Sequence, residues 1–198
     1  RPLEDERWLA LVLLIPTLVL LGVFIAYPFV RGILLSVTDA RVGVPGEVGG
    51  AFPVIERVVE TGIAATAAEA VGAMEAMQAM TLEYLKTRQQ FGQPIGRNQA
   101  LQHRATEMFV ALEQGRSMAM LAAMTLDEPD PAERARNISM VKAGIGQAAR
   151  FVSQNAVQLH GGMGMTDELN IGHYFKRLTM IDTMFGNVDF HLKRFGAL

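Results

Sequence analysis

Hydrophobic and polar residues are distributed in two unlike ways along this chain, and each predicts a different kind of element. From Trp8 to Tyr27 nothing charged interrupts: "WLALVLLIPTLVLLGVFIAY" runs twenty residues, thirteen of them Leu, Ile, Val or Phe. A helix of about 20 apolar residues matches the roughly 30 Å hydrocarbon core of a bilayer. The run therefore predicts a transmembrane-like helix over 8–27. Each of its aliphatic and Phe residues favours mid-membrane by about 0.3–0.6 kcal/mol, a sum that outweighs the internal Pro16. It is too long for a cleaved signal, and no small-x-small cleavage site follows closely. Arginines flank it on both sides (Arg1 and Arg7, Arg31 and Arg41), which leaves the orientation open.

"VGVPGEVGGAFP", residues 42–53, is a Gly/Pro-rich linker. Beyond it the period becomes helical. Residues 54–88 predict a helix longer than an ordinary globular one, stopped by "FGQPIG" at 91–96. A second stripe follows at Leu101, Ala105, Met108, Leu112, Ala119 and Ala123. "DEPDPAE" breaks the pattern and restarts it, with Asp130 as the N-cap and Pro131 in the first helical position. The third stripe is Ile138, Val141, Ile145, Ala148, Val152, Ala156 and Leu159, ending at Gly161, Gly162 and Gly164. Shorter helices over about 171–183 and 187–197 complete the set, and no stretch shows strand alternation. The prediction is an all-α fold, an antiparallel helical bundle over 50–198, preceded by a segment 1–49 carrying a single transmembrane-like helix. The twelve methionines are expected mostly as core filler.

Composition narrows the function classes. A net charge of −2 over 198 residues leaves no basic footprint for nucleic acid. The absence of cysteine excludes disulfides, thiolate metal sites and a cysteine nucleophile, and it fits a reducing compartment. The bundle is thus expected in the cytoplasm, membrane-anchored through 8–27.

Three clusters could carry chemistry. "TRQQFG" puts Arg88 and Phe91 one turn apart at a helix end, where a guanidinium fork suits a phosphate and a ring could cover a planar group. The competing reading is a cation complementing the helix dipole beside a buried Phe. In "QLHGGMGMTDEL", Gln158 precedes Gly161 and Gly162, whose bare backbone could approach a pyrophosphate; a glycine C-cap explains the same residues equally well. The four histidines, His103, His160, His173 and His191, lack metal-pair spacing, so surface or interhelical hydrogen bonding is expected and no metal site.

Together, "AEAVGAMEAMQAMTLEYLKTRQQFGQPIGRNQALQHRATEM" and "AVQLHGGMGMTDELNIGHYFKRL" closely resemble the C-terminal helical domain of acyl-CoA dehydrogenases, over about residues 50–198. The resemblance implies a flavoprotein that dehydrogenates acyl-CoA thioesters between the α and β carbons and passes electrons to an electron-transfer flavoprotein. It implies FAD contacts at Arg88, Phe91 and Gln99, and at Gln158, Gly161 and Gly162, with the FAD on a neighbouring subunit.

The family's catalytic carboxylate falls at Phe185, within "TMFGN", and the alternative position used by some relatives falls at Gly62, with Glu60 and Glu69 nearby. Neither Phe nor Gly can accept a proton. The chain is therefore expected to carry no catalytic residue of its own, to be inactive alone, and to form a homo- or hetero-oligomer with a base-bearing subunit.

Residues 1–49 are similar instead to the first membrane helix of a sugar-type ABC transporter permease: the apolar run, Tyr-Pro, a second apolar stretch, Ser-x-Thr-Asp and a Gly-rich exit. The chain thus reads as a chimera. Two other functions follow from its parts, a membrane-anchored helical interaction module or a fragment of such a permease.

Overall fold

The computed structural model describes residues 14–15, 18–38 and 50–198. The chain divides into two units, Arg1–Val58 and Val59–Leu198.

In the first unit the apolar helix α1 runs over Leu18–Ser36. Its course corrects the expected end at Tyr27. The helix passes through Pro28 because a π turn over Gly22–Ala26 precedes it, with the Tyr27 N–H bonded to the Gly22 carbonyl. Proline obstructs the carbonyl four residues back, and a five-residue register accommodates that obstruction. The start of the predicted 8–27 run lies outside the described residues.

The second unit is the bundle. Helix α2 spans Phe52–Thr87, α3 Gln99–Thr125, α4 Pro131–His160, α5 Ile171–Thr183 and α6 Val188–Ala197. Contacts fix their directions. Arg104 meets Asn155, whereas Gly144 lies against Met118, so α3 and α4 run antiparallel. Gln78 donates to the Ala105 carbonyl and Gly96 packs on Leu85, so α2 and α3 do too. Glu60 pairs with Arg134 and Tyr84 stacks on His160, so α2 and α4 run parallel.

The predicted stripe of α4 is buried throughout, from Ile138 to Leu159. Asp130 caps the helix, its carboxylate accepting from the Ala132 N–H at 3.0 Å, and Pro131 follows as expected. The α3 stripe needs correction. Ala105, Met108, Leu112, Gly115 and Ala122 face the core, while Ala123 is exposed. Gly115 belongs to the inner face because Met74 and Ala148 close on it from neighbouring helices.

The methionine expectation holds for Met74, Met77 and Met108, each fully buried, but Met120, Met124, Met165 and Met180 are exposed. A short antiparallel ladder, β1 (Gln89–Gln90) with β2 (Gln93–Pro94), replaces the plain loop expected after α2.

Candidate flavin-contact site

Both predicted contact clusters lie at one end of the bundle. The Tyr84 ring stacks on His160, centroids 4.5 Å apart. Arg88 follows Tyr84 by one turn, its N–H bonded to the Tyr84 carbonyl at 2.8 Å, and Gly161 directly follows His160. His160 is itself buried and anchored through Nδ1 to the Ala156 carbonyl at 2.8 Å. A cavity of about 270 Å³ between Met80, Tyr84, His160, Leu169 and Ile171 opens at the same end.

The hairpin gives Phe91 an unusual setting. Gln90 and Gln93 pair across it, which leaves Phe91 (φ 54°) and Gly92 (φ 77°) as the two central residues. Two positive φ values match the type I′ geometry, whose twist suits a two-residue hairpin. Glycine enters that region freely; a bulky residue pays about 1–2 kcal/mol. The Phe91 ring is nonetheless 97% exposed. A buried Phe behind a helix end, the competing reading, is thereby overturned. Arg88 and Gln99 are exposed as well, and Arg88 has no side-chain hydrogen bond or ion pair among the described residues.

The three glycines separate by role. Gly161 sits at φ 59°, ψ −138° and closes α4 by donating to the Gln158 carbonyl; that conformation is the glycine requirement of a C-cap. At Gly164 a Cβ would lie 2.7 Å from the Val157 carbonyl oxygen, so the chain itself excludes a side chain. At Gly162 an added Cβ would meet nothing within 4 Å, and φ is ordinary. The chain's own packing gives Gly162 no reason to be glycine. A group approaching from outside would.

The two positions at which the resemblance would place a carboxylate, Phe185 and Gly62, meet at the far end of α2. A Cβ on Gly62 would be 2.7 Å from Cζ of Phe185, so the ring lies against the bare helix backbone. Phe185 also has positive φ, at 59°, and Gly186 follows at 99°. The two acids near Gly62 are both committed to arginines. Glu60, 3% exposed, accepts from Arg134 Nε at 2.6 Å. Glu69 takes both Nε and a terminal nitrogen of Arg177, at 2.6 and 2.7 Å, and the hydrogen bonds hold its carboxyl below the ordinary range.

Of the side chains behind the Phe185 turn, sequence reasoning missed Lys142 and named His191 only as a surface or interhelical hydrogen-bonding residue. Lys142 on α4 is buried and donates to the Ile181 and Asp182 carbonyls; desolvation holds its ammonium below the ordinary range, while Asp182 opposes that shift. His191 on α6 is buried and donates from Nε2 to the Phe185 carbonyl at 2.9 Å. Burial lowers its imidazole from the ordinary value, the Phe185 hydrogen bond works upward, and Lys142 and Arg194 add to the lowering. One signal was present: Lys142 is a charge beside the apolar stripe of α4. His103 and His173 are exposed, as the surface reading expects.

The profile of the acyl-CoA dehydrogenase C-terminal domain matches residues 51–197. The chain belongs to that family. It is similar to L-prolyl-[peptidyl-carrier protein] dehydrogenase of Pseudomonas fluorescens, 38% identical over 101 residues, which cover 51% of this chain and 26% of that one. The solved butyryl-CoA dehydrogenase of Megasphaera elsdenii superposes with a TM-score of 0.71 at 27% identity, over 77% of this chain and 39% of that one. A structure of PigA with FAD and proline superposes with a TM-score of 0.70, also at 27% identity, over 77% and 39%. The chain spans about a third of the length of the curated relatives it matches.

Proposed function

We propose that this chain is the C-terminal part of an acyl-CoA dehydrogenase subunit that completes a neighbour's flavin site while its own base position is blank. The observation that carries this is the separation along α2. Gly62, facing Phe185, and Arg88, beyond the helix's last turn, are about 39 Å apart at about 1.5 Å per residue. That is farther than one extended flavin dinucleotide reaches. The two ends therefore serve two different sites.

At the Arg88 end, the donor set fits a dinucleotide. Arg88 offers an unengaged guanidinium for a phosphate, Phe91 a strained, solvent-facing ring, and Gly162 an approach with no side chain in the way. Gln99 and Gln158 are exposed amides beside them, and Gly161 turns the backbone. FAD, when bound there, supplies the hydride acceptor for α,β-dehydrogenation of an acyl-CoA thioester, its electrons leaving to an electron-transfer flavoprotein. This chain's residues hold and orient it.

At the Gly62 end, neither expected base position nor either nearby acid offers a free proton acceptor. Phe185 and Gly62 are aprotic, and Glu60 and Glu69 are bound to arginines. The carboxylate must come from a homologous, base-bearing subunit in a hetero-oligomer.

The test is reconstitution with such a subunit. The complex is expected to retain flavin and oxidise acyl-CoA, Arg88→Ala is expected to strip flavin from it, and this chain alone is expected to be inactive. Acyl-CoA oxidation by this chain alone, or flavin retention indifferent to Arg88, would overturn the reading.

A second role rests on α1. Leu18–Ser36 is long and apolar enough to cross a membrane, with a mean hydropathy of 2.2. It supports attachment of the bundle to a bilayer, tested by whether deletion of residues 1–49 releases the chain from membranes into the carbonate-soluble fraction.

A further inference from the structure

The α5–α6 turn is gripped from behind by side chains that the proposed chemistry does not use. Phe185 and Gly186 both hold positive φ, and a bulky residue there is retained only when its surroundings impose the conformation. Two buried titratable groups supply the constraint. His191 Nε2 donates to the Phe185 carbonyl at 2.9 Å. Lys142 Nζ donates to the Ile181 and Asp182 carbonyls at 3.0 and 2.9 Å, serving the last turn of α5, whose carbonyls lack helical partners.

Gly186 removes the alternatives, since a Cβ there would lie 2.6 Å from Phe190 Cδ1 and 3.1 Å from His191 Nε2. These are costly groups to bury. His191 Nδ1 has no hydrogen-bond partner among the described residues, and an unpaired buried polar atom opposes folding. Their hydrogen bonds converge on a single stretch of backbone, residues 181–185.

We propose that Lys142 and His191 are positioning residues that fix the α5–α6 turn so that whatever side chain occupies position 185 faces Gly62. The proposal rests on reading position 185 as the place of the missing base, and it gives that reading a structural support. The turn holds position 185 against Gly62, where a phenyl ring stands.

The 198-residue chain, held in detergent because of α1, can be labelled with carbonyl-¹³C threonine and ¹⁵N glycine. Thr61–Gly62 is the sole Thr-Gly pair in the sequence, so a single resonance reports Gly62. The Phe185 ring shifts it through its ring current, and Phe185→Leu defines the unshifted position. His191→Ala and Lys142→Met are each expected to move the signal most of the way to that position. His191→Gln, which retains an N–H donor, is expected to restore it.

A His191→Ala chain with native helix content and an unmoved Gly62 signal overturns the proposal. Should that variant not fold, His191→Gln decides: a wild-type signal supports the proposal and one at the Phe185→Leu position overturns it. The base reading is tested separately by Phe185→Glu in the reconstituted complex. Failure there, with the Gly62 shifts behaving as expected, sinks the base reading and leaves the positioning role intact.

Discussion

The ring of Phe185 lies against Gly62, its Cζ 2.7 Å from where a β-carbon would stand. The two positions at which the resemblance would place a catalytic carboxylate thus complement each other sterically, a ring at one facing a bare backbone at the other.

Gly62→Ala tests that complementarity. In an open helix the substitution would stabilise by about 0.5–1 kcal/mol. Here the added methyl overlaps a ring held by its backbone, and overpacking costs about 1–3 kcal/mol. A net loss of stability is expected in urea unfolding, and the double variant Gly62→Ala/Phe185→Ala is expected to recover more than the two single effects predict. Additive effects would show that the ring is not confined.

The three glycines of the bend predict three different outcomes. Gly162→Ala should leave the unfolding midpoint of the chain unchanged and lower flavin retention in the reconstituted complex. Gly161→Ala should destabilise through its positive φ, and Gly164→Ala through collision with the Val157 carbonyl. Equal stability losses at all three would remove the case for an outside ligand at Gly162.

Phe91→Asn separates stability from binding in the opposite sense. Asn tolerates the left-handed region better than Phe, so the chain should unfold at a higher denaturant concentration while the complex loses flavin. This trade is the expected mark of strain kept for contact.

The two ion pairs of α2 should differ sharply. Glu60→Gln leaves Arg134, 12% exposed, without its buried counter-charge, and breaking such a pair costs about 3–5 kcal/mol. Glu69→Gln acts on a pair that is nearly half exposed on each side, where solvent screens the interaction, and should barely move the midpoint. Comparing the two urea curves decides it.

Acid should weaken the α5–α6 turn before it affects the Glu69 pair. The His191 imidazole is lowered from 6.5, so below 6.5 the unfolded chain binds the proton more readily than the folded one. Stability then falls as pH drops through that value. Glu69 is lowered from 4.5, so its contribution is present above 4.5 and is lost further down. His191→Gln should flatten the first decline alone, measured by unfolding midpoints between pH 7 and pH 5.

Much of this architecture was legible because local rules and packing agreed. The stripe from Ile138 to Leu159, the Asp130 cap and the glycine stop on α4 each follow from period and capping chemistry alone. What escaped the sequence depended on distant partners. Ala122 is buried and Ala123 exposed; period alone slipped by one residue beyond Gly115, where Met74 and Ala148 close on the bare backbone. Lys142 drew no reading from the sequence and His191 only the general one of surface or interhelical hydrogen bonding, because their acceptors are backbone carbonyls, which leave no trace in residue identity. The glycines were read as a helix stop, where α4 does end, but only three-dimensional clearance distinguishes Gly162, with nothing within 4 Å of an added Cβ, from Gly164, closed by Val157.

The length of α2 has a corollary. A rigid rod insulates its extremities, so a change at residues 62 and 185 is expected to go unfelt at Arg88. On the proposed function, one end could then lose its own reactivity while the other still served a neighbour.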